Sequence, residues 1–416
     1  MLIRILLRRV WLSWLMVALW TLLIYVTIPL ANALQNTWVR FWGRQSLLLV
    51  VVAVLSLATV ITFLAMRRSD RKVRWHQYLW ILLVFAAYVY FTYSLRSLPA
   101  EALHFIEYGV LGALAFLAFR HRVENSSIYF ISAVFCLLVG TVDEIIQWIV
   151  PQRFWDYRDV WLNGVGGGLI QLGIWKGLSP SSVQKRWNPF SVRLLVRLTA
   201  ASVILLSLCA SNTPARFQWY TNRIGLLRPL AGNPQMMNEF GYRHADPDFG
   251  EFYSRLSLSE LRENDERSAR EAAKVLDDYS GDDRYQDFLH QYPSHKDPLI
   301  HEMRVHLFRR DRYMNRAREA EDEESQREYL TVARAENLIV SKYFTQTLSS
   351  SSYRLGPAAR DLLERFEPQT ADYSSAVDRH LVTTISERAL WLMALIILFL
   401  LAGLHQYSYR MEERSK

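Results

Sequence analysis

Cysteine is scarce in this sequence: Cys136 and Cys209 are the only two in 416 residues, and both lie in apolar segments. The charged stretch 211–387 contains none, so its own hydrophobic core must stabilise it without disulfide bonds. No G-x-x-x-x-G-K-[ST] phosphate loop is present. His301 and His306 are five residues apart, whereas the zinc motif of metalloproteases places two histidines at i and i+4. These absences exclude a phosphate-loop motif, a zincin motif and disulfide stabilisation of the charged stretch.

Long apolar runs are abundant but unevenly distributed. They fill residues 1–210 and recur at 389–404, while 211–387 is charged and turn-rich. Each run is near the ~20 residues that cross a bilayer, so the sequence predicts an all-α, polytopic membrane protein with about eight transmembrane helices. The predicted spans are approximately 10–31, 46–66, 77–97, 102–119, 127–150, 159–175, 190–210 and 388–407.

The distribution of Lys and Arg predicts the orientation of these spans. Basic residues concentrate in alternate connections, most clearly in RRSDRKVRWH at 67–76, and cytoplasmic loops carry such an excess. We therefore expect a multi-pass protein of the inner (plasma) membrane with both termini cytoplasmic and 211–387 outside. The net charge of +8 reflects this topology and does not indicate nucleic-acid binding. Ala31-Asn32-Ala33 resembles a signal-peptide cleavage site, but the preceding apolar stretch is long and favours a retained span.

Composition divides the chain into five predicted parts. The stretch 211–387 begins with a loop-like segment and then shows helical patterns, with Ser257 or Ser259 as one helix cap and Asp297-Pro298 at the start of another. No regular strand alternation is visible there, so we predict a small helical bundle. The parts are two N-terminal transmembrane helices (1–76), a four-helix membrane domain (77–176), a seventh helix (177–210), an extracytoplasmic helical domain (211–387), and a last transmembrane helix with a cytoplasmic tail (388–416).

Ionisable side chains cluster inside three of the spans. Such groups are costly in a membrane and indicate a functional site by default. The predicted orientation places all of them at one depth, roughly 5–12 Å below the outer surface at 1.5 Å per residue. We expect them to face one another, because lipid would leave them unsatisfied. They are His104, Glu107 and Tyr108 in span four, Asp143, Glu144 and Gln147 in span five, and Asp159 and Asn163 in span six, with Arg153 in the preceding loop.

The order of these residues carries a family resemblance. The pattern DE-x2-Q-x3-P-x-R-x5-D-x3-N-x2-G, preceded by H-x3-Y-x2-LG, resembles the VanZ-like family of integral membrane proteins over about residues 77–175. The resemblance implies a compact helical membrane domain linked to the cell envelope and, through the founding member, to glycopeptide resistance. It implies no settled reaction. Glu101 stands where the family often has a basic residue. The matching residues are His104, Tyr108, Leu111, Gly112, Asp143, Glu144, Gln147, Pro151, Arg153, Asp159, Asn163 and Gly166.

Four interpretations of the cluster stay open. Glu144, Asp143 and His104 are candidates for acid–base catalysis, because neighbouring carboxylates in a low dielectric cannot both ionise cheaply. Arg153 is a candidate for binding an anionic headgroup such as a lipid-linked phosphate. Proton-coupled transport is a third interpretation. The fourth is a structural lock in which Arg153 pairs with Glu144 or Asp159, and Asn163 pairs with Gln147.

Ligand and partner expectations follow from these interpretations. The candidate ligand-binding residues are Arg153, Gln147, Asp159, Asn163, Glu107 and Tyr108. We expect membrane lipids and a lipid-linked envelope precursor as partners, and no metal, cofactor or nucleic acid. The alternative function is a non-enzymatic membrane scaffold whose outer helices bind another envelope protein.

Overall fold

Helices form most of this computed structural model, which describes residues 9–69, 72–96, 98–150, 153–233, 235–365, 373–379 and 381–415. The predicted all-α polytopic membrane fold is confirmed. The chain divides into two compact units. We call Met1–Cys209 together with Trp391–Lys416 the membrane unit, and Ala210–Leu390 the polar unit.

The membrane unit contains the apolar helices. Seven helices in the described part of the chain are long and apolar enough to cross a membrane. The predicted sixth span is the exception: α7 has 16 residues and continues as a π-helix over Gly173–Leu178. Its glycines and polar residues lower its hydropathy below that of the others. The helices are α1 (Val10–Thr27), α2 (Ala31–Trp42), α3 (Ser46–Arg67), α4 (Trp75–Ser94), α5 (Leu103–Phe119), α6 (Ser127–Ile149), α7 (Tyr157–Leu172), α8 (Pro189–Ala210) and α16 (Glu387–Ser415).

Small residues bring α5, α6 and α7 close together. A Cβ atom on Gly167 would lie 2.4 Å from Cβ of Cys136, and one on Gly112 would lie 2.5 Å from Cγ2 of Ile170. Backbone groups are bonded across this interface, since Gln171 donates to the carbonyl of Gly112 at 2.8 Å. Gly168 differs from its neighbours: a Cβ there would meet nothing within 4 Å. The glycine run therefore supports close helix approach at particular positions only.

Helix α1 packs against this group. Trp20 Nε1 donates to the backbone carbonyl of Glu107 at 2.9 Å, and Tyr25 OH donates to that of Val139 at 3.0 Å. The first span is thus bonded to both α5 and α6.

The polar unit has a mostly helical core. Ser257 caps α10 in a capping box with Glu260, and Asp297 caps α12 by accepting from the amide of Ile300 at 3.0 Å. Both caps were predicted from the sequence. The helices are α9 (Pro214–Arg223), α10 (Leu258–Asp278), α11 (Tyr285–Gln291), α12 (Pro298–Glu319), α13 (Glu323–Tyr343), α14 (Thr345–Ser350) and α15 (Pro357–Leu363).

Two details of the polar unit differ from the expectations. The loop-like start contains α9. The unit also contains strands. Several of their alternate, buried positions are polar, so the strands do not show the apolar–polar alternation by which a strand is recognised in a sequence. The strands are β1 (Glu239–Phe240), β2 (Tyr242–Asp246), β3 (Gly250–Ser254) and β4 (Val382–Thr383), with β2 antiparallel to β3 and β1 parallel to β4.

A buried carboxylate, Glu336, organises part of this unit. It is fully buried on α13 and lies 2.5 Å from His306 Nδ1 and 3.0 Å from Arg309 Nε. Tyr373 and Ser375 donate to its Oε1 atom at 2.5 and 2.9 Å. Burial alone would raise the pKa of Glu336, but the facing His306, the hydrogen bonds and Arg309 hold that pKa below its usual value.

Candidate functional site

The start of α5, the end of α6 and the start of α7 surround one cavity in the membrane unit. Its volume is about 600 Å³. Helices α1 to α3 supply much of its apolar wall, including Ile24, Leu47 and Val50. Ionisable and polar groups supply the remainder: Asn32, Gln35, Arg44, Glu101, His104, Glu107, Asp143, Gln147, Arg153, Asp156 and Asp159.

His104 connects α5 to α7. Its Nδ1 atom lies 3.3 Å from Oε2 of Glu107, one helical turn further on. Its Nε2 atom faces Asp159 Oδ2 at 4.0 Å. Both side chains are mostly buried, with 12% of His104 and 13% of Asp159 exposed. The imidazole is therefore held between two carboxylates from different helices.

The α6 groups are buried more deeply. Tyr108 donates to Asp143 Oδ2 at 3.1 Å, and Asp143 Oδ1 has no hydrogen-bond partner in the described part of the chain. Glu144 lies behind the cavity wall and is fully buried. It accepts from Gln147 Nε2 at 2.7 Å and from the backbone amide of Asp156 at 3.4 Å.

Arg153 does not make the ion pair that the structural-lock interpretation gave it. Its guanidinium donates to Gln147 Oε1 and, at 3.3 Å, to Asn32 Oδ1, and not to Glu144 or Asp159. Asn32 was missed as a site residue, because it follows the predicted first span (10–31) and has no visible link to the motif. The contact becomes visible only once α2 is folded beside the loop.

Asn163 also differs from the structural-lock interpretation. It is fully buried, yet its amide makes no hydrogen bond to Gln147 or to any other described residue. Its Cβ atom would lie 2.6 Å from a Cβ on Gly140, so it packs tightly against α6. Among the described residues, neither pair of the structural-lock interpretation forms: Arg153 is not paired with Glu144 or Asp159, and Asn163 is not paired with Gln147.

Arg158 and Glu101 form a pair at the edge of the site. Arg158 donates to Glu101 Oε1 at 2.5 Å, and 46% of the Arg158 side chain is exposed. An acid at position 101 thus has a cationic partner in the first turn of α7. Pro151, which belongs to the sequence motif, lies outside the described residues.

Carboxylates outnumber cations at this cavity. Five carboxylates and two arginines line it, together with His104. The fully buried Glu144 adds a further acid. The donor atoms of His104, Glu144 and Asp159 lie within 4.8 Å of one another, an arrangement suited to a metal ion, although the sequence analysis predicted no metal site. The geometry thus combines groups for proton transfer, cation binding and anion binding.

Comparison with known proteins finds one family model that matches part of the chain. The VanZ/LLP1 family model matches residues 11–178. This range begins before residue 77, where the resemblance was expected to begin, and so includes α1, which is bonded to α5 and α6. No curated protein and no solved structure matches the chain.

Proposed function

We propose that this VanZ-like membrane protein, matched to its family over residues 11–178, binds an anionic envelope or lipid-linked ligand in the cavity of its membrane unit. The observation that carries the proposal is the lining of the ~600 Å³ cavity, which joins a polar wall to an apolar one. A ligand with a charged headgroup and a hydrocarbon chain matches both walls, and pockets of this size enclose most of a small ligand.

Arg153 is the proposed anion-binding group. Both of its bonded partners, Gln147 and Asn32, are neutral amides, so no carboxylate neutralises the guanidinium at contact distance. Its Nε atom is buried without a hydrogen-bond partner among the described residues. Arginine binds phosphate and carboxylate through paired donors, and Arg44 lines the same cavity.

The acid–base groups lie beside this proposed binding position. Asp143 and His104 line the cavity, and Glu144 accepts a hydrogen bond from Gln147, which in turn contacts Arg153. These three are the groups positioned for proton transfer in any processing of the ligand. Binding of an envelope precursor here would connect the protein to glycopeptide sensitivity, which the family resemblance implies.

Lipid and envelope-precursor profiling tests the proposal. A deletion strain is compared with strains carrying Arg153→Ala, Arg153→Lys or Glu144→Gln, all at normal protein abundance. We expect Arg153→Ala and Glu144→Gln to reproduce the altered profile of the deletion, and Arg153→Lys to retain part of the wild-type profile. Arg122→Ala is the matched control, because Arg122 is exposed in the segment between α5 and α6 and does not line the cavity. A wild-type profile for Arg153→Ala would contradict ligand binding and favour the scaffold alternative.

A further inference from the structure

We propose that a divalent transition-metal ion binds between His104, Glu144 and Asp159. This inference rests on the proposed function in one respect: the ion is the partner that would receive the ligand's anionic group. The three side chains come from three different helices, α5, α6 and α7. One imidazole nitrogen and two carboxylate oxygens form a donor set that suits Zn²⁺ or Mn²⁺.

The donor atoms surround one position. Tetrahedral ligands bonded to one ion at about 2.1 Å lie roughly 3.4 Å apart. His104 Nε2 and Asp159 Oδ2 are 4.0 Å apart, and the donor atoms of all three residues lie within 4.8 Å of one another. Binding therefore requires the donor atoms to move together by roughly 1 Å, which rotation about the side-chain χ angles can supply.

The second neighbour of His104 supports this assignment. Glu107 Oε2 lies 3.3 Å from Nδ1, on the opposite side of the ring from Asp159. Histidines that bind metals usually have a carboxylate, carbonyl or water on the other ring nitrogen, which fixes the tautomer and aims the free nitrogen at the ion. Glu107 is close enough to take that position on metal binding, although Nδ1 makes no hydrogen bond among the described residues.

Charge is the independent observation. Asp143 is 1% exposed, lines the cavity, and has an Oδ1 atom with no hydrogen-bond partner among the described residues. Glu144 contacts only amide donors, namely Gln147 and the backbone of Asp156. Arg153 is bonded to amides and Arg158 to Glu101, so neither guanidinium neutralises these acids directly. Buried uncompensated carboxylates are costly, and a divalent cation removes that cost.

The cation also removes a charge mismatch between the cavity and the anionic ligand of the proposed function. The cavity has more carboxylates than cations, which repels an anionic ligand. A divalent ion at the acidic wall adds two positive charges and open coordination positions beside Arg153. Phosphate or carboxylate oxygens of the ligand would complete its coordination.

Metal binding by the purified full-length chain tests the proposal. The chain, in detergent and stripped of metal with a chelator, is titrated calorimetrically with Zn²⁺ and separately with Mn²⁺. We expect saturable binding of one ion per chain for at least one of the two metals. His104→Ala, Glu144→Gln and Asp159→Asn should each weaken binding at least tenfold. Glu107→Gln should weaken it about 10- to 100-fold, as loss of a ligand-orienting carboxylate does.

Glu124→Gln is the matched control. Glu124 is exposed in the segment between α5 and α6 and does not line the cavity, so its replacement should leave metal affinity unchanged. Thermal unfolding and gel filtration of each variant distinguish loss of the site from loss of the fold. Absence of saturable binding in the wild type, wild-type affinity in the three ligand variants, or an equal loss in Glu124→Gln would overturn the metal site.

The two proposals fail separately. If the lipid profile depends on Arg153 but the chain binds no metal, the metal site is contradicted and the proposed ligand binding is retained. Stoichiometric metal binding with an Arg153-independent profile would uphold the ion and contradict the proposed function.

Discussion

Two buried glutamates show how surroundings decide the role of a residue. Glu336 is fully buried and faces His306 and Arg309, with hydroxyl donors completing its shell. Glu144 is equally buried but accepts only from amides. The first carboxylate has the compensation that a structural ion pair requires. The second lacks it, which is the physical reason to propose a functional role for Glu144.

Replacement of glutamate by glutamine should therefore affect stability differently at these two positions. We expect Glu336→Gln to destabilise the polar unit by about 1–3 kcal/mol, because it leaves charged and polar donors imperfectly paired. Glu144→Gln should leave the stability of the membrane unit unchanged or raise it in metal-free buffer, because it removes an uncompensated charge. Hydrogen exchange in peptides from α13 and α6, read by mass spectrometry, measures each effect locally.

The effect at Glu336 should depend on pH. Because its pKa is lowered in the folded chain, ionised Glu336 contributes stability above its unfolded pKa of about 4.3, and this contribution is lost as pH falls through the folded value. The difference in protection between wild type and Glu336→Gln should be full at pH 7 and shrink below about pH 4.3. A difference that grows on acidification would contradict this assignment.

At the level of elements, α7 is a short helix of the cavity wall that its neighbours approach closely. Its glycines lie against α5 and α6, where Gly167 meets Cys136 and Gly166 meets the Cβ position of Tyr108. Close approach of these backbones brings Asp159 of α7 near His104 of α5. The packing of small residues thus positions the candidate site.

Two adjacent glycines test this role of α7. Gly167→Ala places a Cβ 2.4 Å from that of Cys136, so α6 and α7 must separate, at a cost of about 1–3 kcal/mol. Gly168→Ala meets nothing within 4 Å and should be neutral or stabilise the helix by up to about 1 kcal/mol. Thermal unfolding in detergent compares the two variants. Equal losses would show that the close approach at Gly167 does not matter.

At the level of the whole molecule, the polar unit is inserted between α8 and the last helix, α16. The uneven distribution of Lys and Arg remains our reason to place 211–387 outside the cell and both termini in the cytoplasm. The two native cysteines are buried, which simplifies a labelling experiment.

Cysteine labelling should reveal this topology. A membrane-impermeant maleimide is expected to label Ser259→Cys, on an exposed position of the polar unit, in intact spheroplasts. Ser181→Cys, exposed in the loop after α7, should be labelled only after the membrane is permeabilised. The wild-type chain controls for Cys136 and Cys209. The reverse pattern would invert the proposed orientation.

Much of the fold could be predicted from the sequence because its signals are local. Apolar runs of bilayer length located the starts of the membrane helices to within two residues, although α16 continues past the predicted end at 407 to Ser415. Ser257, one of two candidate caps, and Asp297 mark helix starts through side-chain caps. The β2–β3 hairpin was missed because its buried positions include His244 and Asp246, which carry no apolar signal. Because these buried positions are polar, the alternation of apolar and polar residues that marks a strand is not visible in the sequence.

The sequence by itself determined which polar residues the apolar helices carry and at which helix ends they lie, because hydropathy and helical spacing are properties of the chain alone. Only the tertiary structure decided their partners: Arg153 with Asn32 and Gln147, Asn163 against Gly140, and His104 between Glu107 and Asp159. Such partners depend on the rotation and separation of neighbouring helices. The packing of side chains from distant segments determines this rotation and this separation. Neither can be read from the spacing of residues along one helix.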